Sequence, residues 1–103
     1  MKDRDKKIRE MQMLEQNLQN LLLQKQAFQM ELSETKSALK EIGKSGDEVF
    51  KIIGQLMIKT EKSRIKEELS NKEKIITLRI NSIEKQETSL TEKLEDLQKE
   101  VLN

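Results

Sequence analysis

From Met11 to Ile42 an alternating spacing of three and four residues holds without a slip: Met11, Leu14, Leu18, Leu21, Lys25, Phe28, Leu32, Thr35, Leu39, Ile42. Eight of those ten positions are apolar, the pattern of a helix that buries one narrow stripe against another helix. The residues between them are mostly Gln, Asn, Glu and Lys, good helix formers or well-solvated groups. The pattern predicts a helix over 1–43, ending near Gly43, where glycine tolerates a left-handed C-terminal residue. Lys44 to Glu48 then reads as a loop. Further on, Leu69, Ile76, Ile83, Leu90 and Leu97 form a strict seven-residue repeat. Its companion stripe is patchier: Ile65, Ile80, Leu94 and Val101, with Lys72, Glu73 and Glu87 intervening. A second helix over 61–103 follows, and each helix would be about 60 Å long at ~1.5 Å per residue.

The period changes between the helices. Val49-Phe50-Lys51-Ile52-Ile53 and Leu56-Met57-Ile58-Lys59-Thr60 are runs of β-branched and large apolar residues that meet at Gly54-Gln55. A two-residue connection with glycine first is what a type II′ hairpin turn needs, so 49–60 reads as a β-hairpin. A lone two-stranded hairpin is marginal in water, and both its edges offer unpaired backbone groups. Nothing else in the chain has strand patterning, so the missing strands must come from other chains.

Folding back at the hairpin brings the helices side by side and antiparallel. Pairing residues whose numbers sum to about 104 sets Leu39 near Ile65, Phe28 near Ile76, Leu21 near Ile83 and Leu14 near Leu90. The same register puts Lys25 and Arg79 in one layer, which should be wet and weak. Matching seams over the whole length favour a coiled coil within one chain. The expected fold class is mainly α: a long antiparallel two-helix coiled coil with one β-hairpin at the bend, forming a single domain over 1–103.

Composition narrows the function. Charged residues are 38% and apolar residues 34% of the 103, with Phe28 and Phe50 the only aromatics, which suits a seam better than a wide core. No proline is present to stop a long helix. Twenty basic and nineteen acidic residues leave a net charge of +1, which argues against nucleic-acid or anionic-membrane binding. The lack of cysteine excludes disulfides and thiolate chemistry and fits a reducing compartment. Met1 to Lys7 lacks a signal peptide's apolar stretch and no run approaches membrane-spanning length, so the expected location is cytoplasmic. Without His, Cys or a Gly-rich phosphate loop, the sequence offers no catalytic constellation and calls for no cofactor or metal.

The hairpin residues Val49-Phe50-Lys51, Ile53-Gly54, Leu56 and Ile58-Lys59-Thr60, in their order and spacing, carry a family resemblance. So do Leu22-Leu23-Gln24-Lys25-Gln26 with Glu31-Leu32, and the Leu78 to Glu87 region with Asn81 and Glu84-Lys85-Gln86-Glu87. Together they resemble a prefoldin subunit of the β class, of archaeal type, over almost the entire chain. One hairpin points to the β class because α-class subunits carry two. The resemblance implies a heterohexamer of two α and four β subunits, whose hairpins build a double β-barrel platform from which six coiled coils hang. It further implies an ATP-independent holdase that captures unfolded polypeptides at the coiled-coil ends and delivers them to a group II chaperonin.

Two groups of residues are singled out as sites. Val49, Phe50, Ile52, Ile53, Gly54, Leu56, Met57 and Ile58 either join subunits or fold as a cap onto the chain's own helix ends. Seven of these are large and apolar, more than two helix ends can hide, which favours assembly. At the other end, Ile8, Met11, Met13, Leu14, Leu97, Val101 and Leu102 are client-binding candidates, since flexible Met side chains adapt to varied sequences. The competing reading is that they merely complete the seam. Leu23 and Met30, one heptad apart and off the seam, are a weaker candidate stripe. The mixed charges of Lys2 to Glu10 and Glu92 to Glu100 read as solvated helix surface, with chaperonin docking as the functional alternative. An alternative for the whole chain is a structural coiled-coil adaptor that uses the hairpin to oligomerise without holding clients.

Overall fold

The computed structural model describes residues 2–102. They form a helix α1 (Lys2–Lys44), a strand β1 (Glu48–Ile53), a strand β2 (Leu56–Glu61) and a helix α2 (Lys62–Leu102). The expected order of elements is present, the end of α1, the outer ends of the hairpin and the start of α2 each lie one residue from expectation, and the turn falls at Gly54-Gln55 as expected. Met1 and Asn103, assigned to helices by the sequence pattern, lie outside the described residues.

Helix α1 ends differently from expectation. It runs one residue past Gly43, and Gly54 rather than Gly43 is the glycine with a positive φ. The terminal carbonyls are satisfied locally instead. The Ser45 N–H donates to Glu41 O at 3.1 Å and Ile42 O at 3.3 Å, and its Oγ–H donates to Ile42 O at 2.8 Å. Lys62 Nζ donates to the Ser45 carbonyl at 2.7 Å, adding a cation beside the negative end of the helix. With those acceptors occupied, a left-handed glycine cap is unnecessary.

The hairpin pairs β1 and β2 antiparallel, from Glu48 opposite Glu61 to Ile53 opposite Leu56. Gly54, with φ of 60°, is the first central turn residue, and Gln55 keeps a negative φ. A positive φ at the first position alone defines the type II′ turn that the Gly-Gln order predicts. Like charges meet at the open end, where Glu48 faces Glu61. Lys59, diagonal to Glu48 on the same face, relieves this by pairing with it at 3.4 Å. Lys51 reaches off the sheet to Glu68 of α2 at 3.0 Å, tying hairpin to helix.

The chain forms two compact units, residues 2–28 with 79–102, and Gln29–Leu78. In the first, α1 and α2 run antiparallel, as the Lys7–Glu100 and Lys25–Glu87 ion pairs at 3.3 and 3.0 Å require. Ile80 and Ile83 are buried in its seam, flanked by half-buried Leu14, Leu18, Leu21, Leu90, Leu94 and Leu97. In the second unit, Ile76 and Val49 are buried among half-buried Leu32, Leu39, Ile42, Ile65 and Leu69. Thr35 is the one buried polar residue among those described, and its hydroxyl donates to Glu31 O at 2.8 Å, so its burial leaves no unmet donor.

The Lys25 layer needs correction. Lys25 does not sit beside Arg79 in a wet, unpaired layer; its Nζ bonds Glu87, about two turns further along α2. Arg79 is exposed and lays its guanidinium 5.6 Å from the Phe28 ring centroid. Glu73 and Glu87, which look like interruptions in the sequence, are both half-buried seam positions. With them included, the α2 stripe alternates three and four residues from Glu73 to Val101.

With so narrow a seam, the largest single-residue losses fall on its few buried residues. Replacing buried Ile83 by Ala should cost about 2–4 kcal/mol in denaturant unfolding followed by helical circular dichroism. The same change at exposed Leu78 should stay within about 0.5 kcal/mol.

Candidate functional site

Strand geometry sorts the hairpin side chains onto two faces. Val49, Lys51, Ile53, Leu56, Ile58 and Thr60 share one; Glu48, Phe50, Ile52, Met57, Lys59 and Glu61 share the other. Only the root of the first face goes inward, where Val49 is buried and Thr60 half-buried. Phe50, Ile52, Ile53, Leu56, Met57 and Ile58 stay exposed, from 44% at Ile58 to 69% at Ile52. The hairpin is therefore rooted on its own helices through one valine and presents the rest. A cap folded over the helix ends would have buried several of these residues.

The second face also walls an open groove of about 590 Å³. Phe50, Ile52 and Met57 line it on the strand side, and Ala38, Ile42, Ile65 and Leu69 line it from the two helices. The sheet pairs β1 with β2, so among the described residues the outer edge of each strand has no ladder partner. Apolar side chains thus lie on both faces beside open backbone edges, the kind of edge to which a strand can be added.

The end that contains both helix termini divides the client-binding candidates. Met11, Leu14, Leu97 and Val101 are half-buried seam residues. Met13, off the seam, is exposed, as is Leu102 at 83%. Ile8 lies just at the exposed side. Exposed and half-buried apolar groups thus alternate over the last turns, near the Lys7–Glu100 pair.

Other exposed apolar groups lie away from both sites. Leu23 and Met30 are exposed on α1, as the off-seam reading anticipates. Leu22, Ile75 and Leu78 are also exposed and were not anticipated. Ile75 and Leu78 lie three apart on one face of α2, and the signal for them was available once Ile76 and Ile80 are placed in the seam. Among the described residues no group of His, Cys, Asp and Glu is arranged to hold a metal, and no helix is long and apolar enough to cross a membrane.

Comparison with known proteins places this geometry. The family model described as prefoldin subunit matches residues 5–103. Prefoldin subunit beta of Thermococcus onnurineus is 42% identical over 89 residues, covering 84% of this chain and 77% of that protein. Prefoldin subunit beta of Sulfurisphaera tokodaii is 39% identical over 93 residues, covering 88% of this chain and 74% of its own length. The crystal structure of the prefoldin beta subunit from Thermococcus strain KS-1 superposes with a TM-score of 0.90 at 36% identity, over 96% of this chain and 89% of that one.

Proposed function

Because the chain belongs to the prefoldin subunit family, we propose that it is a β-type subunit of an ATP-independent holdase chaperone. The observation that carries this reading is the hairpin: six large apolar side chains exposed in the single chain, beside two unpaired strand edges. Such a surface is stable in water only when other strands cover it. The partners are further copies of this chain and an α-class subunit, in a hexamer of two α and four β. Hairpins form the platform, and the coiled-coil ends remain free for clients.

At those ends, Ile8, Met13 and Leu102 offer accessible apolar contacts, while Met11, Leu14, Leu97 and Val101 become available as the last turns fray. Each end holds an unfolded segment weakly. Several ends on one platform raise the effective concentration of binding groups, so capture tightens without new contacts. Release requires no nucleotide, and the client passes to a group II chaperonin in the cytoplasm.

The reading is tested by assembling the chain with an α-class subunit and measuring aggregation of a chemically denatured protein by light scattering. Suppression at a near-stoichiometric ratio is expected. Assembly without suppression would leave a structural adaptor. Ile53→Asp or Ile58→Asp should abolish the oligomer while most helical circular dichroism survives, since both side chains are exposed in the free subunit; an unchanged oligomer mass would remove the platform role. Deleting about ten residues from each terminus should preserve the oligomer and weaken client holding severalfold. Undiminished holding would shift the client site towards the hairpin.

A further inference from the structure

Long apolar seams are poor at choosing partners. Met11, Leu14, Leu18 and Leu21 on α1 and Leu90, Leu94 and Leu97 on α2 are chemically near-equivalent. Sliding α2 by one heptad would still set leucine against leucine, and α1 of a second copy would offer the same stripe. Two charged residues interrupt this degeneracy. Lys25 and Glu87 both occupy seam positions, with side chains only 22% and 23% exposed and Nζ–Oε1 at 3.0 Å. The other four ion pairs among the described residues are markedly more exposed, from 39% upward.

We propose that the Lys25–Glu87 pair is a pairing lock, which selects antiparallel α1–α2 pairing in one register over homotypic pairing with a second copy. In a parallel pair of α1 helices, Lys25 meets the Lys25 of the other copy. In a parallel pair of α2 helices, Glu87 meets its own equivalent. A one-heptad slip replaces Glu87 by Ile80 or Leu94 opposite the lysine. Each of these arrangements leaves a charge half-buried without its counter-ion, which costs far more than an exposed pair contributes to stability. The lock therefore acts mainly by penalising wrong partners, as a single polar seam position does in dimeric coiled coils. The surroundings sharpen it: Glu84, Glu87, Glu92 and Glu95 line one groove with Lys25, so α2 offers an acidic wall to this lysine. This inference is independent of client holding.

The test uses the whole chain with four variants. Lys25→Glu and Glu87→Lys should each lower the thermal unfolding midpoint, Lys25→Glu more because it then shares a groove with four glutamates. The double reversal should recover more than half of the summed loss. The Lys25→Leu/Glu87→Leu variant should unfold at a higher temperature yet lose uniqueness. Spin labels at exposed Gln16 and Ser89 should give one narrow distance in the native chain and a broadened or split distribution in the leucine variant. Additive losses in the reversals, or a distribution as narrow in the leucine variant as in the native chain, would overturn the proposal.

Discussion

A single-file seam is the constraint on which the rest of this molecule depends. In each of its two units, α1 and α2 meet along one stripe, and among the described residues only Ile76, Ile80 and Ile83 become buried on the helices as apolar core. A chain that is 38% charged cannot build a broader interior. Stability therefore accumulates from many half-buried leucines, each worth a fraction of the ~1.5–3 kcal/mol of a fully buried side chain. The same narrowness leaves the remaining helix faces to solvent and to charge, where ion pairs such as Lys72–Glu31 at 3.3 Å add little.

The hairpin inverts this economy. It has the apolar content of a core strand pair without a core to sit on. Val49 anchors it, Lys51 ties it to Glu68, and Gly54 makes the reversal possible. Its six other large apolar side chains stay exposed. The seam thus gathers the apolar core of the helices, while the hairpin leaves apolar surface exposed. Division of labour between a self-sufficient coil and a partner-dependent sheet links this fold to the assembly proposed for it.

Much of this was legible in the residues, for identifiable reasons. Heptad spacing and the change to a run of β-branched residues depend on local sequence, so both helices, the hairpin and the Gly54 turn follow directly. The end of α1 was misjudged because Lys62, which caps Ser45, is distant in sequence and its approach cannot be read from Gly43. Lys25 and Glu87 look like two separate flaws when each helix is read alone; their pairing becomes visible only when the helices are side by side. Ile75 and Leu78 are as apolar as their seam neighbours, and exposure separates them only after the phase of α2 is known. Among the client-binding candidates, seam membership distinguishes Leu14 and Leu97 from Met13 and Leu102, a distinction that hydrophobicity alone does not carry.

Native mass spectrometry of this chain, alone and mixed with an α-class prefoldin subunit, tests most directly whether the exposed hairpin is an assembly surface. A hexamer containing four copies of this chain and two of the partner is the predicted result. A monomer or dimer whose mass is indifferent to the partner would contradict it.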